Sequence, residues 1–172
     1  MIYRTAEAFA CSEQRMRIEP LVMTSGPFHL IHGGHLSLLR ESAQFASRFG
    51  AGGLVVCVNG DGFLQRKHGY CAISIEDRLE LVDSIKGVAA VFPWDDGTQT
   101  VVGALEIVRP DFFMKGGDRT PDTMVLEEVI ICESIGCQVK YGVGGCDKKD
   151  SSSAIAKRVF SGLWNIRQKS RS

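Results

Sequence analysis

The stretch GLVVCVNG, at positions 53–60, constrains the fold more than any other part of this 172-residue chain. Its apolar residues follow one another without a polar interruption, and three of them are β-branched valines. Such a run is typical of a strand that is covered on both faces, as in parallel sheets. Parallel strands need crossover connections, so the stretch predicts helices on both sides of a sheet.

Strand-like and helix-like segments alternate along the rest of the chain. The run LVMTSG at 21–26 predicts a buried strand, and apolar residues at helical spacing follow it up to Gly50. The segment 74–87 opens with Ser74 as a plausible N-cap and ends at Gly87. Three further strand–helix pairs complete the chain, the last helix opening with serines. This order predicts an α/β fold with a mostly parallel sheet and helices on both faces.

Composition narrows the function classes. Twenty Lys and Arg residues balance twenty Asp and Glu residues, which argues against a general nucleic-acid binder. No run of 18 apolar residues predicts a membrane span, and the charged first 20 residues do not resemble a secretory signal. The six scattered cysteines include no Cys-x-x-Cys pair. We therefore expect reduced thiols in a cytoplasmic protein that binds neither nucleic acid nor membrane.

Four unusual stretches fall at predicted carboxyl ends of strands, where open α/β sheets bind ligands. They are GPFHLIHGGH at 26–35, NGDGFLQRKHG at 59–69, KGGD at 115–118 and DKKDSSS at 147–153. The convergence of all four at one edge of the sheet is more informative than any single motif.

The first of these stretches places His32 and His35 where a helix begins. Free N–H groups and the helix dipole attract phosphate at such a terminus, and the glycines let a ligand approach the backbone closely. The imidazoles can donate hydrogen bonds to phosphate oxygens and stabilise charge that develops during displacement at phosphorus. Two alternatives remain open: a zinc site that enlists His29 or Cys57, and a purely structural histidine pair.

The same residues resemble a known family. GPFHLIHGGHLSLL resembles the His-x-Gly-His signature of the cytidylyltransferase-like nucleotidyltransferases, which have a Rossmann-like, doubly wound α/β fold. ISIEDRLELVDSI resembles the family's Glu-x-Arg helix segment, and IVRPDFFMKGGD resembles its Arg-Pro-Asp strand and Lys-Gly-Gly-Asp loop. SSSAIAKRV resembles its Ser-Thr-Thr motif, so the resemblance extends over about 21–159. The stretch 91–118 is similar in particular to the heptose 1-phosphate adenylyltransferase domain.

This resemblance implies that residues 21–172 form a nucleotidyltransferase domain, preceded by an N-terminal extension at 1–20. A substrate phosphate would attack the α-phosphorus of a nucleoside triphosphate, and pyrophosphate would leave. We expect ATP, with its Mg²⁺, as the donor, a phosphorylated sugar or polyol as the acceptor, and a homodimer as the assembly. No metal ligand is assigned on the protein, and the charged loop leaves two alternatives open: Lys148 and Lys149 take over phosphate binding, or Asp147 and Asp150 hold the metal.

The resemblance also implies roles for individual residues. The catalytic residues are expected to be His32, His35 and Arg78. The nucleotide-binding residues are expected to be Gly26, Phe28, Gly34, Lys115, Gly116, Gly117, Asp118, Ser151, Ser152 and Ser153. Arg66 and Lys67 are expected to bind the acceptor's phosphate. Each set has a simpler alternative: an exposed ion pair of Arg78 with Glu76, an N-cap formed by the serines, and a solvated loop that carries Arg66 and Lys67.

Three departures from the family pattern bear on the function. His29 occupies the position of an aspartate that helps to organise Mg²⁺, and as an imidazolium it would repel the metal. Lys149 stands where the family has a glycine, and HGYCAIS lacks the usual proline-containing pattern. These departures leave three other functions open: a cytidylyltransferase that uses CTP with glycerol 3-phosphate, a degenerate nucleotide-binding homologue, and a flavin- or coenzyme-forming adenylyltransferase with a larger acceptor pocket.

Overall fold

A computed structural model describes residues 1–117, 119–145 and 150–169. In this part of the chain, five strands form one sheet in the order β3-β2-β1-β4-β5, and every neighbouring pair is parallel. The strands are β1 (Leu21–Gly26), β2 (Gly53–Asn59), β3 (Val88–Trp94), β4 (Phe112–Gly116) and β5 (Gln138–Val143). The expected doubly wound α/β fold is confirmed.

The helices cover the sheet from both sides. They are α1 (Ala6–Ala10), α2 (Glu13–Arg17), α3 (Gly33–Ser47), α4 (Asp61–His68), α5 (Ile75–Asp83), α6 (Val102–Val108), α7 (Leu126–Ile135) and α8 (Ser152–Lys169). The side chain of Ser74 accepts a hydrogen bond from the N–H of Asp77, so the predicted N-cap of α5 is confirmed. The solvated loop considered as an alternative for Arg66 and Lys67 does not form, because both residues lie in helix α4.

The buried residues of β2 explain its uninterrupted apolar sequence. Val55 and Cys57 pack into one cluster with α1, α6 and α7, whereas Leu54 and Val56 pack into another with α3 and α5. Successive residues of a strand point to opposite faces, so a strand between two helical layers needs apolar residues at every position.

Residues 1–20 contribute to the first of these clusters. Phe9 of α1 is fully buried, and its ring stacks on that of Phe92 in β3 with 6.1 Å between the ring centroids. The N–H of Tyr3 donates to the carbonyl of Val91 at 2.9 Å, which extends the edge of the sheet at β3. The segment before β1 therefore packs against the domain's own core.

The strand order determines where a ligand can bind. The chain runs from β1 to β2 and β3 on one side, then returns to β4 and β5 on the other. Connections leave β1 and β4 in opposite directions, and a crevice opens between their carboxyl ends. The segments that follow β1 and β4 are the His-Gly-Gly-His and Lys-Gly-Gly stretches, so the topology brings both to one place.

The burial of Phe9 predicts a large contribution of α1 to stability. Replacement Phe9→Ala should lower the free energy of unfolding by about 3–5 kcal/mol, because it removes a large side chain and leaves a cavity. Met16→Ala, at an exposed position of α2, is the matched control and should change it by less than about 0.5 kcal/mol. Denaturant titration measures both values. Similar small effects of the two replacements would show that α1 is not part of the cooperative core.

Candidate active site

A cavity of about 710 Å³ opens at the carboxyl ends of the strands. Most of the residues predicted from the sequence line it, although they come from four separate parts of the chain. The predicted residues on its wall are Gly26, Phe28, His32, Gly34, His35, Lys67, Lys115, Gly116, Gly117, Ser151, Ser152 and Ser153.

The other three predicted residues are Arg66, Arg78 and Asp118. Arg66 and Arg78 do not line this cavity. Asp118 lies outside the described residues, as do Asp147, Lys148 and Lys149 of the charged stretch before the serines. The sequence analysis did not single out several ionisable residues of the cavity wall, among them His68, Arg119, Glu127 and Glu128.

His32 begins α3 and holds its first turn. The Nδ1 atom of His32 accepts a hydrogen bond from the N–H of Gly34 at 3.2 Å, which makes this histidine the N-cap of the helix. Because Nδ1 accepts, a neutral ring carries its proton on Nε2 and can donate from there. A Cβ at position 34 would lie 3.1 Å from Cε1 of His32, so Gly34 makes room for this ring.

The ring of His35 lies beside that of His32, with 4.0 Å between their centroids. The ring of Phe28 also lies close to that of His35, with 5.2 Å between their centroids. Phe28 is fully buried and has a φ of +45°, in the left-handed region that is unfavourable for a residue with a side chain. A Cβ at Gly26 would lie 3.2 Å from the Phe28 ring, so the small residue before this turn lets the ring reach its place.

Arg78 is buried behind the residues that line the cavity. Its guanidinium is completely buried and donates to the carbonyls of Pro27, Asn59 and Ile73. It also donates to the carboxylate of Asp61 at 2.5 Å. The exposed ion pair considered from the sequence does not form, since the acidic partner is Asp61 of α4. Arg78 is therefore a positioning residue that joins the segment after β1 to the segment after β2.

His29 is buried and accepts rather than donates. Its Nε2 atom accepts a hydrogen bond from the N–H of Ala72 at 2.6 Å. Burial lowers the pKa of His29, and the charges of Arg78 and His68 lower it further against the opposing effect of Asp61. The ring is neutral at physiological pH, so the repulsion of a metal that the sequence suggested does not arise from this position.

Lys115 and Glu128 form a buried ion pair on the cavity wall. The ammonium of Lys115 donates to one carboxylate oxygen of Glu128 at 2.7 Å, and the other oxygen accepts from the N–H of Val101 at 3.2 Å. Burial lowers the pKa of Lys115, an effect that Glu128 opposes. The sequence carried one signal for Glu128: it lies four residues before the buried Cys132, on the inward face of α7.

The three serines at the start of α8 have different roles. The hydroxyl of Ser151 accepts a hydrogen bond from the N–H of Ala154 at 3.1 Å, which is the simple capping role. The hydroxyl of Ser152 donates to the carbonyl of Leu30 at 3.3 Å, so α8 is attached to the segment after β1. Ser153 is exposed on the cavity wall.

Arg66 and Lys67, which are neighbours in α4, have different surroundings. Arg66 pairs with Asp95 and donates to the carbonyl of Thr98. Lys67 lines the cavity, with its ammonium 5.5 Å from the centre of the Phe63 ring. Among the residues that the structure describes, no group of three or more His, Cys, Asp or Glu side chains is arranged to hold a metal ion.

Comparison with known proteins identifies the family. The family model described as cytidylyltransferase-like matches residues 23–158 of this chain. The chain belongs to this family. Membership places it among the nucleotidyltransferases, in agreement with the resemblance of the motifs.

Curated relatives include proteins named bifunctional protein HldE. That of Nitrosococcus oceani is 34% identical over 83% of this chain and 29% of its own length. That of Alkalilimnicola ehrlichii is 28% identical over 88% of this chain and 30% of its own length. The chain thus spans about 30% of the length of these relatives.

A solved structure shares the fold. The lipopolysaccharide core biosynthesis protein from Thermoplasma volcanium superposes with a TM-score of 0.57 and 24% sequence identity. The match covers 71% of this chain and 93% of the other.

In the described part of the chain, no helix has the length and apolar character needed to cross a membrane.

The neutral state of His29 predicts a pH-dependent stability. The unfolded chain takes up a proton near the ordinary pKa of 6.5, whereas the folded chain takes it up only at lower pH, so stability falls as the pH drops below about 6.5. His29→Gln keeps an acceptor for the Ala72 N–H without the titration. Its melting temperature should therefore fall less than that of the wild type between about pH 7.5 and 5.

His68 makes the stability of both proteins depend on pH in the same direction, because burial and Lys67 lower its pKa as well. The carboxyls of Asp61 and Asp95 have lowered pKa values and contribute their loss of stability only at pH below about 4. If the melting temperatures of His29→Gln and the wild type fall equally over this pH range, His29 is not held neutral by the fold.

Proposed function

We propose that the protein transfers AMP from ATP to a small phosphorylated sugar or polyol and releases pyrophosphate. One observation carries the proposal: the beginnings of α3 and α8 lie on the wall of the same cavity, with two histidines at one and serines at the other. Two helix N-termini in one cavity offer free N–H groups and positive dipole ends to a polyphosphate. The family to which the chain belongs supports the same reaction class.

In this reaction an oxygen of the acceptor's phosphate forms a bond to the α-phosphorus. The bond from the α-phosphorus to the oxygen that bridges to the β-phosphorus breaks, and that oxygen leaves with pyrophosphate. Negative charge grows on the oxygens around the α-phosphorus and on the leaving group. Catalysis therefore depends on hydrogen-bond donors and cations in fixed positions more than on a nucleophilic side chain.

The histidines would stabilise the charge at the α-phosphorus. His32 already uses Nδ1 to cap α3, which leaves Nε2 as its donor. His35 has the rings of both His32 and Phe28 as neighbours. Ser152, Ser153 and the first N–H groups of α8 would bind the β- and γ-phosphates, which become the pyrophosphate.

The Lys-Gly-Gly stretch would border the nucleoside. Gly116 and Gly117 line the cavity without side chains, which lets the ribose and base approach the backbone. The preference for ATP rests on the similarity of residues 91–118 to the heptose 1-phosphate adenylyltransferase pattern. The relatives named HldE are consistent with this choice.

The acceptor would lie toward α4. Lys67 and His68 line the cavity there, whereas the pairing of Arg66 with Asp95 makes Arg66 the weaker candidate. A cavity of about 710 Å³ falls within the roughly 300–1,000 Å³ of small-molecule sites. It can hold a nucleotide together with a small phosphorylated acceptor such as a heptose phosphate.

The donor set fits Mg²⁺ that arrives with the triphosphate. Such an ion needs only one or two carboxylates besides phosphate oxygens and water. Glu127 lines the cavity and carries hard carboxylate oxygens, whereas the carboxylate of Asp150 on the same wall already pairs with Arg158. When bound, the ion would neutralise charge on the triphosphate.

Turnover with a panel of substrates tests the proposed function. ATP, CTP, GTP and UTP, each with Mg²⁺, are combined with heptose 1-phosphate, other sugar 1-phosphates and glycerol 3-phosphate, and pyrophosphate release is measured. We expect the highest kcat/KM for ATP with a sugar 1-phosphate. A tenfold preference for CTP, about 1.4 kcal/mol, would support the cytidylyltransferase alternative. Nucleotide binding without any turnover would identify a degenerate homologue.

The histidine pair provides a second test. His35→Ala should lower kcat by at least about 100-fold, the scale seen when a fixed charge-stabilising donor is lost. Arg40→Ala, at an exposed position of the same helix, is the control and should retain wild-type kcat. Circular dichroism verifies that both variants are folded. Wild-type turnover by folded His35→Ala protein would remove His35 from the catalytic machinery.

A further inference from the structure

Two buried cysteines lie on either side of the turn between α7 and β5. Cys132 is in the last turn of α7, and Cys137 directly precedes β5. Both side chains belong to the same apolar cluster of the core, and both are free thiols. Neither cysteine lines the cavity, so the proposed reaction makes no use of them.

The turn that separates the two cysteines is a Schellman motif. Gly136 has a φ of +74°, and its N–H donates to the carbonyl of Glu133 at 3.2 Å. The N–H of Cys137 donates to the carbonyl of Cys132 at 2.8 Å. In this motif the side chains of these two positions are in contact, and bond lengths keep their Cα atoms within about 6.7 Å of each other, inside the range that disulfides span. Backbone hydrogen bonds therefore hold the cysteines at a distance that a disulfide can bridge.

The two thiols also influence each other's ionisation. A hydrogen bond from the Cys137 thiol lowers the pKa of Cys132, and the charge of Lys115 lowers it further against the opposing effect of burial. The same hydrogen bond raises the pKa of Cys137, as does its burial. Because the thiolate is the reactive form of cysteine, Cys132 is the nucleophile of the pair and Cys137 supplies the second sulfur.

The pair lies beneath an exposed part of the surface. The exposed residues around it are Glu133, Ser134, Gly136 and Gln138, and β5 is an edge strand of the described sheet. Helix ends and sheet edges open locally at lower cost than central strands. Cys57, by contrast, lies in β2 between two other strands, and its burial raises its pKa. A small oxidant therefore reaches this turn more easily than the centre of the sheet.

We propose that Cys132 and Cys137 are a redox-sensitive pair, which a small hydroperoxide converts into an intrachain disulfide and a dithiol reductant restores. The thiolate sulfur of Cys132 attacks one peroxide oxygen and the O–O bond breaks, which leaves a sulfenic acid on Cys132. The departing hydroxide takes up the proton that the thiol lost and forms water. The thiol of Cys137 then attacks the oxidised sulfur, the S–O bond breaks and a second water leaves. The two sulfurs together lose two electrons and two hydrogens, and the peroxide is reduced to two molecules of water.

The position of the pair gives this modification a place beside the cavity. Cys132 follows Glu128 by one turn of α7, and Glu128 holds the ammonium of Lys115 on the cavity wall. The disulfide thus modifies the helix that carries this ion pair.

Peptide mapping of the full chain tests the proposal. Trypsin cleaves after Arg119 and Lys140, so residues 120–140 form one peptide that contains both cysteines. The protein is treated with hydrogen peroxide, denatured, labelled with N-ethylmaleimide, digested and analysed by mass spectrometry. We expect this peptide to take up no label and to weigh two hydrogens less than the unlabelled reduced peptide. After dithiothreitol it should take up two labels again.

Two other cysteines of the same protein serve as internal references. The tryptic peptide of residues 49–66 contains only Cys57 and should retain its label at the peroxide concentration that converts the pair. Cys11 is exposed and reports that the oxidant is active. If Cys11 loses its label completely while the peptide of residues 120–140 keeps both, the proposal is overturned. A disulfide that joins Cys132 to a cysteine of another peptide would overturn it as well.

Cys137→Ala is the matched variant. It removes the second thiol but keeps the backbone hydrogen bonds of the turn, and circular dichroism shows whether the variant is folded. Without the hydrogen bond that stabilises its thiolate, Cys132 should lose its label about fivefold more slowly or less than in the wild type. Loss of the Cys132 label at the wild-type rate in the folded variant would show that the two thiols do not act as a pair. The peptide masses do not depend on turnover, so failure here is distinguishable from failure of the proposed reaction.

Discussion

The buried guanidinium of Arg78 holds together the edge of the sheet at which the cavity opens. A cation removed from water is costly unless hydrogen bonds and an opposite charge replace its hydration, and Arg78 obtains three carbonyls and the carboxylate of Asp61. Those carbonyls belong to the segment that follows β1, to the last residue of β2 and to the turn before α5. One side chain thus joins three parts of the chain at this edge of the sheet. The segment that carries both histidines is held at its start by the carbonyl of Pro27, although Arg78 itself does not reach the cavity.

The cavity wall uses local contacts to orient its polar groups. His32 caps the helix that it begins, Phe28 supports the ring of His35, and Ser152 attaches α8 to the carbonyl of Leu30. The ammonium of Lys115 is held by Glu128, whose other oxygen accepts from the start of α6. Hydrogen-bond donors held in this way lose little freedom when a charged ligand binds, which is what a site built on positioning and charge stabilisation needs.

Several site residues were predictable and others were not, for identifiable reasons. His32 and His35 lie in a short motif next to a strand end, so their location on the cavity wall follows from local sequence. Glu128 lies 13 residues after Lys115 on a different element, and only the tertiary packing of α7 brings the two charges together. Arg66 and Lys67 are adjacent in sequence, yet the helix turns them to different neighbours, Asp95 for one and the cavity for the other.

The sequence by itself determined the fold class, the site's edge of the sheet and the reaction class. Apolar periodicity reports which segments are covered on one face or both, and motif spacing reports which segments follow strands, because both are properties of short stretches. Only the tertiary structure decided the protonation of His29 and the supporting position of Arg78. A pKa depends on burial and on charges that arrive from distant elements, and the burial of a side chain depends on what packs around it. Neither quantity is contained in any single segment of the chain.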